Sequence, residues 1–277
     1  MARFVGLIRV VHPGPTLLNA AAAFTLVQIA GGPSRRALLA AVTMLGVHAF
    51  IGTLNDLVDR HVDGARGEKP IAAGRISVRA GSLIAAASLL IGLISAAALG
   101  PTSLLIASLG AMLGLAYNLG LKRSALSWLP FALGVALIPP FAWAAAEMPL
   151  PSTIEALSVA AITGGGALAM QNGLADRAAD TAVGVRGAVV RLGDRRAWIV
   201  AALLHLCTLV VVCTLSGSTL GPSGRGVVPL IAGAACQLLG LGLSATLQPG
   251  LRRRGWELGG VGLLLLAIAA ALDSSTT

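Results

Sequence analysis

Long apolar stretches, broken by short polar or glycine- and proline-bearing joints, dominate the chain from residue 13 onward. A bilayer-spanning helix needs about 20 predominantly apolar residues. Nine stretches answer to that description: 13–31, 36–57, 79–99, 102–119, 125–146, 152–175, 196–216, 226–247 and 256–272. The joints at Gly100-Pro101 and Pro149-Leu150-Pro151 are tight and uncharged, whereas those at 58–78, 176–195 and 248–255 are longer and basic. The pattern predicts an all-α polytopic membrane protein, a bundle of about nine transmembrane helices with two Asp-rich loops on the cytoplasmic side, forming one domain over 1–277.

Composition agrees with that class. Charged residues are 11% of the chain, hydrophobic ones 56%, and mean hydropathy is +0.86, where soluble domains carry about 25% charged residues. The net charge of +9 could suggest a nucleic-acid partner, but the basic residues lie in short loops between apolar runs. Membrane topology accounts for them, and no nucleic acid is expected. With the N-terminus placed in the cytoplasm, 17 of the 20 Lys and Arg residues fall on the cytoplasmic side, and only Arg35, Arg36 and Arg225 fall opposite. By the positive-inside rule, the expected protein is multi-pass, in the plasma membrane of a bacterium-like cell, with its acidic clusters facing the cytoplasm. Arg3 and Arg9 ahead of the first apolar run imitate a signal peptide. The many spans that follow make a retained helix the simpler reading. His12, at the entrance of that helix, reads as a headgroup-level contact.

The polar residues concentrate in two places. If the helix arriving at Asn55 continues to Asp63, then at about 100° per residue Asn55, Asp59, Asp63 and Asp56 fall at roughly 0, 40, 80 and 100°. All four share one face, while His61 points away from it. Like charges so placed call for a bound cation or a basic partner. Hard divalent ions such as Mg²⁺ take oxygen ligands and bridge to phosphates. Asn172, Asp176 and Asp180 repeat the offsets of Asn55, Asp59 and Asp63, with Gly173 standing where the first cluster has Asp56. Two such walls on the same side of a bundle could hold one diphosphate between them through Mg²⁺.

Between the two clusters lies Tyr117-Asn-Leu-Gly-Leu-Lys122-Arg123, with the only tyrosine in the chain. Lys122 and Arg123 read either as positive-inside anchors or as diphosphate contacts. Trp128, Phe131, Phe141 and Trp143 follow around Pro139-Pro140, and some of them could line an apolar channel for a long chain. Cys207, Cys213 and Cys236 lack metal-ligand spacing and read as buried hydrophobes. Glu147 and Glu155 read as solvated.

These residues resemble the UbiA family of intramembrane prenyltransferases. Asn55-Asp56-x-x-Asp59-x-x-x-Asp63, continued by Lys69-Pro70 and Gly74-Arg75-Ile76-Ser77, looks like its first aspartate motif; Asp176-x-x-x-Asp180 looks like its second; Tyr117 with Lys122 is similar to its tyrosine-lysine motif. The resemblance implies Mg²⁺-dependent transfer of a prenyl group from a prenyl diphosphate to an aromatic or quinone-precursor acceptor, in a bundle opening laterally to lipid. It implies that Asn55, Asp56, Asp59, Asp63, Asp176 and Asp180 hold two Mg²⁺ ions. Asn55, Lys69, Tyr117, Lys122, Arg123 and Asn172 would contact the diphosphate, and the catalytic set would be Asp59, Asp63, Asp176, Asp180 and Lys122. Lys69-Pro70 where many members have Arg-Pro, the wider Tyr117–Lys122 spacing and Gly173 are departures that leave the subfamily, and hence the acceptor, open. A membrane terpene cyclase with the same ionisation chemistry and no acceptor is the first alternative. An ion-coupled transporter with intramembrane carboxylates is the second, although its acids are expected at the midplane and not at helix ends.

Overall fold

The structure is a computed structural model that describes residues 2–63, 69–217 and 225–274. Among them no strand forms, and the order is α1 Ala2–Val10, α2 Pro13–Ile29, α3 Ser34–Asp63, α4 Val78–Leu99, α5 Pro101–Leu119, a 3₁₀ turn Leu121–Arg123, α6 Leu129–Ala136, α7 Ile138–Ala146, α8 Ile154–Ala182, α9 Ala188–Leu192, α10 Asp194–Gly217, α11 Val227–Ser244 and α12 Pro249–Ser274. Eight spans among the described residues are long and apolar enough to cross a membrane: α3, α4, α5, α6 with α7, α8, α10, α11 and α12. The expected ninth, α2, has 17 residues, about 25 Å at 1.5 Å per residue. Pro13 fixes its start, and the turn at Gly31, which has φ 89°, fixes its end.

The bundle is apolar on the outside as well as the inside. Leu83, Leu90, Ile94, Leu203, Leu206, Leu238 and Leu239 are all exposed, as befits helices whose solvent is lipid. The interior collects Leu26, Val27, Met44, Phe141, Trp143 and Leu266 from α2, α3, α7 and α12. Cys207 and Cys213 are exposed on α10 rather than buried, so the expectation for them changes: they face lipid as small apolar side chains.

Helices that cannot gain from the hydrophobic effect against lipid associate by close packing at small residues. On α3 and α4, a Cβ at Gly46 would stand 2.5 Å from the Ser88 carbonyl oxygen and 2.6 Å from the Gly92 Cα. The stretch 125–146 breaks into α6 and α7 because Pro139 and Pro140 have no N–H to donate to the preceding turn. At the end of the bundle remote from the acidic motifs, Arg36 ties three helices together. Its guanidinium donates to the carbonyls of Ala145 and, at 2.7 Å, Leu99, and pairs with Glu147 at 2.8 Å. Glu147 is therefore a salt-bridge partner as well as an exposed residue.

The two acidic motifs ride on the last turns of two unusually long helices, α3 with 30 residues and α8 with 29. Each continues past its apolar run, which lifts the carboxylates to the end of the bundle instead of its midplane. Replacing Gly46 with Leu is expected to force α3 and α4 apart and cost about 1–3 kcal/mol. A lowered melting temperature of the purified protein in detergent checks this.

Candidate functional site

The site is built on α3. Asn55, Asp56 and Asp59 share the face that the spacing predicts, with Lys69 reaching both Asn55 and Asp56 and Lys122 reaching Asp59. Asp56 is 1% exposed; its Oδ1 accepts from His12 Nε2 at 3.0 Å and lies 3.3 Å from Lys69 Nζ. Its Oδ2 is buried and has no partner. Asp59 accepts from Lys122 Nζ through Oδ1 and from Asn55 Nδ2 at 3.1 Å through Oδ2. The Asn55 amide also takes Lys69 Nζ on its oxygen at 2.7 Å and donates to Asn118 Oδ1 at 3.0 Å. Asp63 is the last residue of α3; its side chain lies outside the described residues.

The loop after α3 puts Lys69 in place. Ile71 and Ile76 bury themselves against Val10, with Leu57 and Ile84 around them. Gly74, at φ 66°, turns the chain so that the amides of Arg75 and Ile76 reach the Pro70 carbonyl at 2.9 and 3.2 Å. Only glycine takes that φ without strain. Ser77 then caps α4, its Oγ accepting from Ala80 N at 3.2 Å. The motif continuation from Lys69 to Ser77 is thus a folded bracket.

Lys122 enters from the opposite side. It is 8% exposed, in the 3₁₀ turn after α5. Burial pulls its ammonium below the ordinary lysine range, and the charges of Lys69 and Arg123 add to this; the Asp59 carboxylate opposes it. The segment 183–193 braces that turn: the Ala188 amide donates to Ser127 Oγ at 2.9 Å, and a Cβ at Gly187 would stand 2.9 Å from the Lys122 carbonyl oxygen. Arg123 is exposed.

The second motif lies near the first. Tyr117, half-buried on α5, is within electrostatic reach of Asp59 and also of Asp176 and Asp180. Asp176 pairs with Arg253 at 3.3 Å, and Asn172 is half-buried one turn before it on α8. Gly173 has a spatial reason: a Cβ there would meet Val189 Cγ2 at 2.6 Å, so α9 occupies the space that a counterpart of Asp56 needs.

Sequence reasoning missed two residues. His12 touches Asp56 and is more than a headgroup contact; its partner is 44 positions away, and no spacing rule links them. Asn118, 1% exposed, joins Asn55 to the Ile51 carbonyl, to which its Nδ2 donates at 3.2 Å. Its place beside Tyr117 was the available signal. A third reading changes as well. Arg252 is 6% exposed and ties α12 to α8 and α10 through the Leu174 carbonyl at 3.0 Å and Asp194 at 2.6 Å.

A cavity of about 330 Å³ runs between α2, α6, α7, α8, α10 and α12, lined almost wholly by apolar side chains that include Leu18, Phe131, Trp143 and Leu168. Phe131 and Trp143 therefore join the channel, whereas Phe141 is fully buried and Trp128 packs against the Met170 cluster. Its lining includes Gly14 and Trp256, each within one turn of a residue that contacts an acidic motif, His12 or Arg253.

The described residues of the two motifs offer carboxylate and amide oxygens, the donor type that hard cations take. Among the described residues no three His, Cys, Asp or Glu side chains are gathered closely enough to cage a metal alone, because lysines and arginines hold the carboxylates. Among the described residues of the two motifs, Asp56 Oδ2 is a buried oxygen without a hydrogen-bond partner, as a cation ligand would be.

A polytopic helical bundle with two carboxylate motifs within electrostatic reach of one tyrosine, lysines seated on the first of them and an apolar cavity between the helices defines the class. The model of the UbiA prenyltransferase family matches residues 16–254, and the chain belongs to that family. Among solved structures, a UbiA homolog from Archaeoglobus fulgidus bound to GPP and Mg²⁺ is similar at TM-score 0.76 and 21% identity, covering 96% of this chain and 99% of that one. The apo UbiA homolog from Aeropyrum pernix K1 is similar at 0.77 and 17% identity, covering 96% and 98%. A digeranylgeranylglyceryl phosphate synthase is similar at 0.70 and 13% identity, covering 100% of both chains. At these identities the likeness concerns the fold. No curated protein matches the chain.

Removing the Asn118 amide by Asn118→Ala leaves the Ile51 carbonyl and Asn55 short of a partner. The expected loss is about 1–3 kcal/mol, read as a lower melting temperature, with a weakened grip of Asn55 on Asp59.

Proposed function

We propose that the protein transfers a prenyl group from a prenyl diphosphate to a small acceptor within the membrane, using Mg²⁺. The observation that carries this reading is the seating of Lys122 on Asp59 and of Lys69 on Asp56, with Tyr117 within electrostatic reach of both acidic motifs. The donor classes named for the Archaeoglobus fulgidus homolog, GPP and DMAPP, agree with it. Asp56, Asp59, Asp63, Asp176 and Asp180, with Asn55, are the oxygen donors for two Mg²⁺ ions. When bound, those ions neutralise the diphosphate and stabilise the charge that grows on it as it leaves.

The protein's own residues do the rest. Lys122 and Lys69 exchange part of their pairing with Asp59 and Asp56 for diphosphate oxygens, and Arg123 and Asn172 bind from the rim. Tyr117 donates its hydroxyl hydrogen to the same oxygens. These cations are fixed before the reaction, so they favour the separated charge more than the intact substrate. The prenyl tail lies in the apolar cavity below. Its walls keep water from the allylic cation, so the nucleophile that captures it is the one the cavity admits. An aromatic or quinone-precursor ring fits an apolar cavity that also carries Asn19, Thr208 and Glu257. We place the site on the cytoplasmic face, from the 17 basic residues that fall on its side in the positive-inside count.

Protein in detergent, given prenyl diphosphates with and without Mg²⁺ and a panel of aromatic acceptors, is expected to release diphosphate only with metal and acceptor. Release without acceptor, with a cyclic product, would establish the cyclase instead. No release from any donor would overturn the enzyme reading. Asp59→Ala and Asp176→Ala should each lower turnover by orders of magnitude while the protein remains inserted and folded.

A further inference from the structure

We propose that His12 is a positioning residue that sets the Asp56 carboxylate for the cation, an inference that rests on the prenyltransferase reading. His12 sits between α1 and α2 at φ 50°, ψ 66°, one of two non-glycine residues with positive φ among those described. That conformation is uncommon outside glycine and persists only where the surroundings impose it. They do so here. The His12 amide donates to the Arg9 carbonyl at 3.1 Å, the Thr16 amide donates to the His12 carbonyl at 3.2 Å, and Thr16 Oγ1 donates to the Val11 carbonyl at 2.7 Å. From α3, Thr53 Oγ1 donates to the Val10 carbonyl at 3.2 Å.

His12 packs against Gly52, one turn before Asp56 on the same face of α3. A Cβ at Gly52 would stand 3.0 Å from His12 Cβ, Cγ and Cδ2, so the absence of a side chain there lets the ring reach Asp56. The ring delivers Nε2–H to Oδ1 at 3.0 Å, and Lys69 Nζ approaches the same oxygen at 3.3 Å. Both partners hold one oxygen, and the other is left buried and bare. A ring that merely docked α1 onto α3 would have no need of this asymmetry. A carboxylate tied on one side and free on the other is how an outer partner aims a metal ligand. Loss of such a partner weakens metal affinity by about 10- to 100-fold.

The test uses the full chain in lipid nanodiscs, with Mn²⁺ and inorganic diphosphate as probes. Free Mn²⁺ is followed by electron paramagnetic resonance, and each variant is melted as a check on folding. His12→Leu keeps bulk without a donor and is expected to weaken Mn²⁺ binding by about 10- to 100-fold. His12→Gln, whose amide nitrogen reaches the place of Nε2, should recover binding to within a few-fold of the parent. Gly52→Ala, which pushes the ring aside without removing it, should fall between, and it serves if the Leu variant does not fold. Parent-like binding in His12→Leu or Gly52→Ala overturns the inference, as does a Gln variant as impaired as Leu at an unchanged melting temperature. No saturable Mn²⁺ binding in the parent itself overturns the prenyltransferase reading along with it.

Discussion

Carboxylates at the end of a membrane helix must be neutralised, because a buried charge without a counter-charge is too costly to keep. At Asp56 and Asp59 the partners come from three separate places: His12, which adds a hydrogen bond, from the joint between α1 and α2, and the counter-charges Lys69 from the loop after α3 and Lys122 from the turn after α5. To deliver them, each segment has to be folded in its own right. The Ile71 and Ile76 cluster, the turn at Gly74 and the bracing of the 3₁₀ turn by Ala188 all follow from this need. The end of the bundle is therefore organised by charge, whereas its middle is organised by the close approach of small residues.

That division separates the charged groups of the site from what holds them. The place of Lys69 follows from the Ile71 and Ile76 cluster and that of Lys122 from the braced turn after α5, packing that does not involve the carboxylates themselves. Arg36 at the far end and Arg252 near the second motif are of another kind, bonded to backbone carbonyls as well as to acids. They close helices, and no incoming anion can relieve them of that work.

Much of this was legible in the residues. The apolar runs marked the long helices, although α3, α8 and α12 extend six or seven residues past them, and the offsets of Asn55, Asp56 and Asp59 placed their side chains on one face. What stayed hidden was contact across the sequence: His12 with Asp56, and Asn118 with Asn55. Periodicity speaks only of neighbours on one element, and these pairs are made by helices meeting. Positive-inside counting likewise treated Arg36 and Arg252 as labels of sidedness, and was silent on the carbonyls they bind. The length of α2 was set by Pro13 and the Gly31 turn, which hydropathy alone does not weigh.

The two acidic motifs share offsets, yet their surroundings differ in a way that assigns them unequal parts. On α3, Gly52 makes room for a histidine ring, and the helix carries an additional aspartate that the ring holds. On α8, Gly173 stands at the position equivalent to Asp56, and its missing side chain makes room for Val189, so packing occupies the corresponding space. The first wall is thereby deep, with a buried carboxylate of fixed orientation. The second is shallower: Asp176 remains 35% exposed, and among the described residues its ion-pair partner is Arg253, itself 59% exposed. The two walls therefore present carboxylates in unlike settings, one fixed by packing and one open to solvent.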